Sequence, residues 1–345
     1  MLFQTYGDRR SPSVLFFHAM GVTGASSVPI ARYLQDRYFC ILPTSTVYCE
    51  GQKYVSKLDE IRQVEDFLHR QGVERLAMVV ASSIGADLAM AFLTQTKLPV
   101  EYAFFDGEQF AQIGKGTRRI MTLFLYFAIK SLYWSKGGTL KKILWCDDDS
   151  IKPYFIDAGK NLTYTNLRRQ ISDSLEDKPF PPLSKELQKH TYFEFGSIED
   201  HFKYRQAVME AYPCGHYPVF EGYDHMQYQI RDPKGFAEML HPEKLLLPVC
   251  RHRSRLNLLR HDRNQRIALI GGNKIACFLI TFTFHETFLN QLFNRACASG
   301  RGTKAFPFSI LRNILGTGCL HGREEGILSE SLRRSCFSFL DFCLG

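Results

Sequence analysis

Apolar residues along this chain fall into two patterns that take turns. Val14-Leu15-Phe16-Phe17, Phe39-Cys40-Ile41-Leu42, Leu76 to Ala81, Tyr102-Ala103-Phe104-Phe105, Thr191 to Phe195 and Tyr217 to Phe220 are short runs bounded by polar or turn-forming residues. Runs this short, rich in Val, Ile and Phe, read as strands. Between them, apolar positions recur at helical spacing. Ile30, Tyr33 and Leu34 follow Ser27 and the first-turn Pro29, and Leu58, Ile61, Val64 and Leu68 lie between a start at Ser56 with Asp59 and a stop at Gly72. Asp232 and Pro233 supply an N-cap and a first-turn proline for Phe236, Met239 and Leu240. Strands alternating with helices predict an α/β fold, a doubly wound, mostly parallel sheet with its site at the carboxyl ends of the strands.

More than seventy residues separate the strand ending at Asp106 from the strand starting near Thr191. Helices are predicted there over Arg118 to Trp134, Thr139 to Trp145, Ile151 to Ala158 and Asn166 to Leu175, and Pro179, Pro181 and Pro182 mark the return to the sheet. The first of these is apolar on most sides, as expected of a helix that is buried, lines a pocket or touches a membrane.

Candidate chemistry sits where strands give way to helices. Leu76 to Ala81 runs into Ser82-Ser83-Ile84-Gly85-Ala86, where the spacing small-x-Ser-x-small centres on Ser83, with Ala81 and Gly85 as its flanks. Ser82 would have Val80 and Ile84 as flanks, which suits a tight strand-to-helix turn less well. This segment resembles the nucleophile elbow, G-x-S-x-G, of the α/β-hydrolase superfamily, with Ala81 in place of the first glycine. Two other segments extend the resemblance over roughly residues 3 to 240. Phe17-His18-Ala19-Met20-Gly21 is similar to the family's strand-His-Gly-x loop, with Ala19 where glycine is usual. Phe220-Glu221-Gly222-Tyr223-Asp224-His225 is similar to its catalytic-histidine loop.

The resemblance implies a serine hydrolase cleaving an ester or related acyl bond of a small, largely apolar substrate. Ser83 would be the nucleophile, His225 the general base, and the backbone N–H groups of Met20 and Ile84 the oxyanion hole. The family's acid follows the strand that ends at Gly196, which favours Glu199, with Asp200 as close competitor and Asp106 as a further option. The insertion, about residues 108–188, would be a helical cap with an apolar wall. No metal or organic cofactor is implied. An acyltransferase or carbon–carbon bond hydrolase on the same residues, or a non-catalytic binding protein favoured by Ala19 and Ala81, are the alternatives.

Composition changes this picture at one place. The 345 residues are 45% hydrophobic and 13% aromatic, globular rather than disordered. Met1 to Arg10 has no long apolar core behind a basic leader, so no secretory signal is expected, and no stretch reaches the length of a charge-free membrane span. Cys40, Cys49, Cys146 and Cys214 lack paired-ligand spacing and read as reduced cytosolic thiols. Gly21-x-x-Gly24 lacks the glycine spacing of a nucleotide-binding loop. The net charge of +8, however, lies entirely beyond Leu247: residues 248–345 hold 14 Lys and Arg against 6 Asp and Glu, and six of the ten cysteines. This segment mixes Gly, Ser, Cys and Arg without sustained periodicity, so residues 1–247 are read as the folded domain and 248–345 as an extension not selected as a folded module, such as a read-through or frameshifted end. A solvated basic tail with weak anchoring ranks next, and specific nucleic-acid recognition last, since phosphate attraction alone is non-specific.

A chain ending at Leu247 is therefore expected to remain soluble, to unfold cooperatively and to keep the ester turnover of the full chain. Limited proteolysis of the full chain should begin beyond Leu247. Loss of the thermal transition on truncation would show that the tail belongs to the fold.

Overall fold

Strands β1 (Leu2–Tyr6), β2 (Ser13–Phe17), β3 (Phe39–Thr44), β4 (Leu76–Ser82), β5 (Val100–Asp106), β6 (Thr191–Gly196) and β7 (Val219–Phe220) form one seven-stranded sheet in the order β1-β3-β2-β4-β5-β6-β7. The computed structural model describes residues 1–107, 115–139, 149–174 and 180–240. The helix expected from Thr139 to Trp145, and everything predicted beyond Leu240, lie outside the described residues. Every pairing is parallel except that of β1 with β3. This is the mostly parallel, doubly wound sheet that the sequence predicts.

Why the strands read as unbroken apolar runs is visible in their packing. Val14, Phe16, Cys40, Leu42, Met78 and Val80 face one side, against Ile30 and Leu34 of α1 (Val28–Leu34) and Phe236 of α10 (Pro233–Met239). Their neighbours Leu15, Phe17, Ile41, Val79 and Ala81 face the other, against Ile61, Val64 and Leu68 of α2 (Lys57–Gln71) and Ala86, Ala89 and Met90 of α3 (Ile84–Gln95). Both faces are covered, so alternation is lost. β1, an edge strand whose side chains are mostly exposed, carries no such signal and is held by its five register pairs with β3.

Two helical stripes differ from expectation. Tyr33 and Leu58 are exposed, because Ala31 completes the buried face of α1 and Glu60 takes the inward position in the first turn of α2, where its carboxylate accepts the Thr46 N–H at 3.1 Å. Ser27 makes no capping bond either, since the tight turn Gly24–Ser27 runs straight into α1. Ser56, Gly72 and Asp232 do cap as predicted.

Between β5 and β6 lie α4 (Lys115–Trp134), α5 (Lys152–Asn161), α6 (Tyr164–Ser174) and the short α7 (Lys185–Gln188). Ile129, Ala158, Leu162, Leu167 and Ile171 pack together with Val47, Tyr48 and Tyr54, and Met20, Met121, Leu125 and Tyr126 adjoin them. α4 buries one side only: Ile120, Phe124, Tyr133 and Trp134 are exposed. No helix of the described residues is long and apolar enough to cross a membrane. After β6 come α8 (Arg205–Ala211), β7 and α9 (Gln227–Arg231).

One glycine fixes how closely helix and sheet approach. A Cβ on Gly85 would stand 2.4 Å from the Phe17 carbonyl oxygen and 2.6 Å from that of His18, both backbone atoms that cannot step aside. Gly72, by contrast, has a φ of +71° but open space around it. Gly85→Ala should therefore destabilise by on the order of 3 kcal/mol, through displaced backbone. Gly72→Ala should cost only about 1 kcal/mol, the left-handed strain alone. Denaturant titration of the two variants measures both, and equal losses would contradict the close approach.

Candidate active site

Ser83 sits at the junction of β4 and α3 with φ +52° and ψ −125°, a conformation L-residues other than glycine seldom adopt. Such a residue costs on the order of 1–3 kcal/mol and persists only when its surroundings impose it. Here the Ser83 N–H donates to the Asp106 carbonyl at 2.9 Å and its own carbonyl accepts the Ala86 N–H at 2.9 Å, while Gly85 lets the helix start against β2. Ser82, the last residue of β4, turns elsewhere: its hydroxyl bonds Gln229.

The loop after β2 is pinned at both sides. The Ser45 N–H donates to His18 Nε2 at 3.1 Å, so the proton lies on His18 Nδ1, which donates to the Ala19 carbonyl at 2.8 Å. Burial pushes this imidazole down to about 4. The Gly21 N–H donates to the Tyr48 hydroxyl at 2.8 Å. Met20 lies between these two anchors, and Ile84 opens α3, where the first backbone N–H groups have no partner within the helix.

His225 follows β7, on a loop that ends with Met226 at φ +58°. Its Nδ1 is 3.0 Å from Glu199 Oε2, and the Glu199 side chain is completely buried. The other carboxylate oxygen, Oε1, accepts the Gly196 N–H at 3.2 Å. His201 Nδ1 approaches the same His225 nitrogen at 3.2 Å. The His225 ring also lies on Gly107, where an added Cβ would fall 2.2 Å from Cε1 and 2.3 Å from Nδ1. Gly107 follows Asp106, whose carbonyl receives the Ser83 N–H, so Ser83, His225 and Glu199 gather at the carboxyl ends of β4, β5 and β6. Among the described residues, Ser83 Oγ makes no hydrogen bond to His225.

Among the described residues, neither competing acid bonds His225. Asp200 is exposed at the start of the turn Asp200–Tyr204. Asp106 is buried and accepts from Gln229 Nε2 at 2.6 Å. Its neighbour across the sheet is Glu194, whose buried Oε2 has no hydrogen-bond partner among the described residues. Burial, with Glu199 nearby, lifts Asp106 to about 8, and burial beside Asp106 also raises Glu194. Burial lowers His225 to about 4 against the pull of Asp224, and raises Glu199 to about 7 against the Gly196 N–H. The imidazole is thus neutral and able to accept a proton at neutral pH.

His201, Gln229 and Glu194 carry no functional motif in the sequence. His201 alone had a signal, its position two residues after Glu199. The ligand-capable atoms of Glu199, His201 and His225 all lie within 4.8 Å of one another, close enough to share a cation. Behind the elbow, His18, Ile84 and Gly85 border a cavity of about 20 Å³, room for a water rather than a substrate.

No protein-family model matches the sequence, and no curated protein matches it. Solved structures do match the fold. An α/β-hydrolase family protein from Desulfitobacterium hafniense aligns at TM-score 0.56 and 15% identity over 71% of this chain and 100% of its own. MenH from S. aureus aligns at 0.52 and 12% over 69% and 96%, and a thermophilic esterase from Thermogutta terrifontis at 0.51 and 12% over 71% and 92%.

The buried carboxyls make a stability prediction with a definite sign. A folded Asp106 that keeps its proton to about 8, against an ordinary value of 3.8, costs stability as pH rises through that interval. His18, His201 and His225, lowered from 6.5 to about 4, act in the opposite sense but only below about 6.5. Between about 6.5 and about 8 the carboxyls therefore dominate among these groups, and the melting temperature should fall. Asp106→Asn should flatten that fall in a thermal scan across pH, and an unchanged slope would show that Asp106 is ionised when folded.

Proposed function

From the α/β-hydrolase fold that the described chain carries, we propose a serine hydrolase that cleaves an ester or related acyl bond in a small, largely apolar substrate. The observation that carries this reading is Ser83: a serine with φ +52° at a strand-to-helix turn, on the same edge of the sheet as a histidine bonded to a buried carboxylate. Strain of this kind is kept where it serves a site.

In the proposed mechanism His225 Nε2 takes the Ser83 proton as Oγ attacks the substrate carbonyl. Glu199 accepts the Nδ1–H, which leaves the Nε2 lone pair free for Ser83 and stabilises the imidazolium that forms. The Met20 and Ile84 N–H groups donate to the oxyanion, where negative charge develops in the transition state. The imidazolium then protonates the leaving group, and water, activated by His225, releases the acyl-enzyme. Ser83 and His225 have still to close on one another, a tightening expected when substrate binds. Met20 packs on the same apolar cluster as Met121, Leu125 and Tyr126 of α4, which supports an apolar acyl or aromatic group beside the oxyanion donors.

Turnover of a p-nitrophenyl ester separates the roles. Ser83→Ala should lower it by at least about 10³-fold, whereas Ser82→Ala should lose far less. Glu199→Gln should cost orders of magnitude with the fold intact, and Asp200→Asn little. Equal losses at Ser82 and Ser83 would contradict the elbow, and a larger loss at Asp200 would move the acid there.

A further inference from the structure

The residue that the proposed mechanism does not use is His201. It stands on the turn after β6, two residues from Glu199, and its ring meets that of His225 at 69° with centroids 4.7 Å apart. Three ligand-capable atoms converge: Glu199 Oε2 lies 3.0 Å and His201 Nδ1 3.2 Å from His225 Nδ1. Two ligands of a tetrahedral zinc ion, each bound at about 2.0–2.1 Å, stand about 3.3 Å apart, so both spacings are already close to a coordination edge. Glu199 is also oriented as a metal ligand should be, with Oε1 tied to the Gly196 N–H and Oε2 directed at the cluster. Two imidazole nitrogens in the set favour a transition cation over Ca²⁺ or Mg²⁺. His201 and His225 are both partly accessible, which leaves a way in and a fourth position for water.

We propose that Glu199, His201 and His225 form a site for a zinc-class divalent cation, and that its occupation excludes hydrolysis. Binding follows from the cluster itself; the inhibition rests on the serine-hydrolase reading. A cation on His225 Nδ1 takes the lone pair of that nitrogen, so the neutral ring must carry its proton on Nε2. In that tautomer Nε2 can no longer accept from Ser83. The same cation takes Glu199 Oε2 away from the imidazole. Metal and Ser83 therefore compete for one histidine through its two nitrogens.

Cobalt(II) is the probe, because its visible d–d absorption reports tetrahedral binding without any reference to activity. Titration of the full chain should give such bands, and His201→Ala should weaken the associated binding by more than about tenfold. Thiolate binding by the six cysteines beyond Leu247 would add near-ultraviolet charge transfer to visible bands of its own and would persist in the variant, so the site is read from the visible bands that His201→Ala removes. If His201→Ala does not fold, His201→Asn serves in its place. Visible bands unchanged by loss of His201, or absent from the full chain, overturn the site. In parallel, Zn²⁺ should suppress p-nitrophenyl ester turnover of the full chain with the affinity that it shows in competing off Co²⁺. Co²⁺ bands that depend on His201 in a chain without esterase activity would sustain the metal site and remove the hydrolase reading. Activity indifferent to saturating Zn²⁺ would overturn the inhibition.

Discussion

The start of α3 lies so near the end of β2 that only hydrogen fits at Gly85. That close approach is the constraint on which the site depends. It forces the chain to leave β4 and enter α3 within a single residue, and Ser83 takes the positive φ that this requires. It also sets the first turn of α3 against the end of β2, with Gly85 on the carbonyl oxygens of Phe17 and His18. The cost of the strained serine falls on the sheet, where strands buried on both faces leave the junction no room to relax.

Burial at the carboxyl end of the sheet does the electrostatic part. Asp106, Glu194 and Glu199 are close neighbours in a region that disfavours negative charge. Each meets it differently. Asp106 and Glu194 face one another across β5 and β6 and are pushed toward the protonated form, with Gln229 donating to Asp106. Glu199 has a backbone N–H on one oxygen and His225 on the other. Of the three acids, it is the one placed to accept a hydrogen bond from the imidazole, which is why the proposed mechanism gives it that role.

Much of the fold was legible because a parallel sheet covered on both faces writes its strands as unbroken apolar runs, as at Leu76 to Ala81. The turn at Ser83 was legible through the small residues on either side of it. Glu199 could be ranked above Asp200 only through the resemblance, by counting from Gly196. What stayed hidden depends on contacts between distant segments. The exposure of Tyr33 and Leu58 reflects which helical face meets the sheet. β7 shrinks to two residues, with Pro218 just before it unable to donate to a ladder. α9 interrupts what reads as a loop, and it is α9 that delivers Gln229 to Ser82 and Asp106. The approach of His201 to His225 joins residues 24 positions apart and has no local signature.

The central claim is that Ser83 is a nucleophile activated by His225. Incubating the folded protein with a fluorophosphonate and locating the adduct by mass spectrometry tests it most directly, since the reagent reacts with a serine only where a base and an oxyanion hole assist. The account predicts one adduct, on Ser83, abolished in His225→Ala. Folded protein that stays unlabelled, or that is labelled on Ser82, would contradict it.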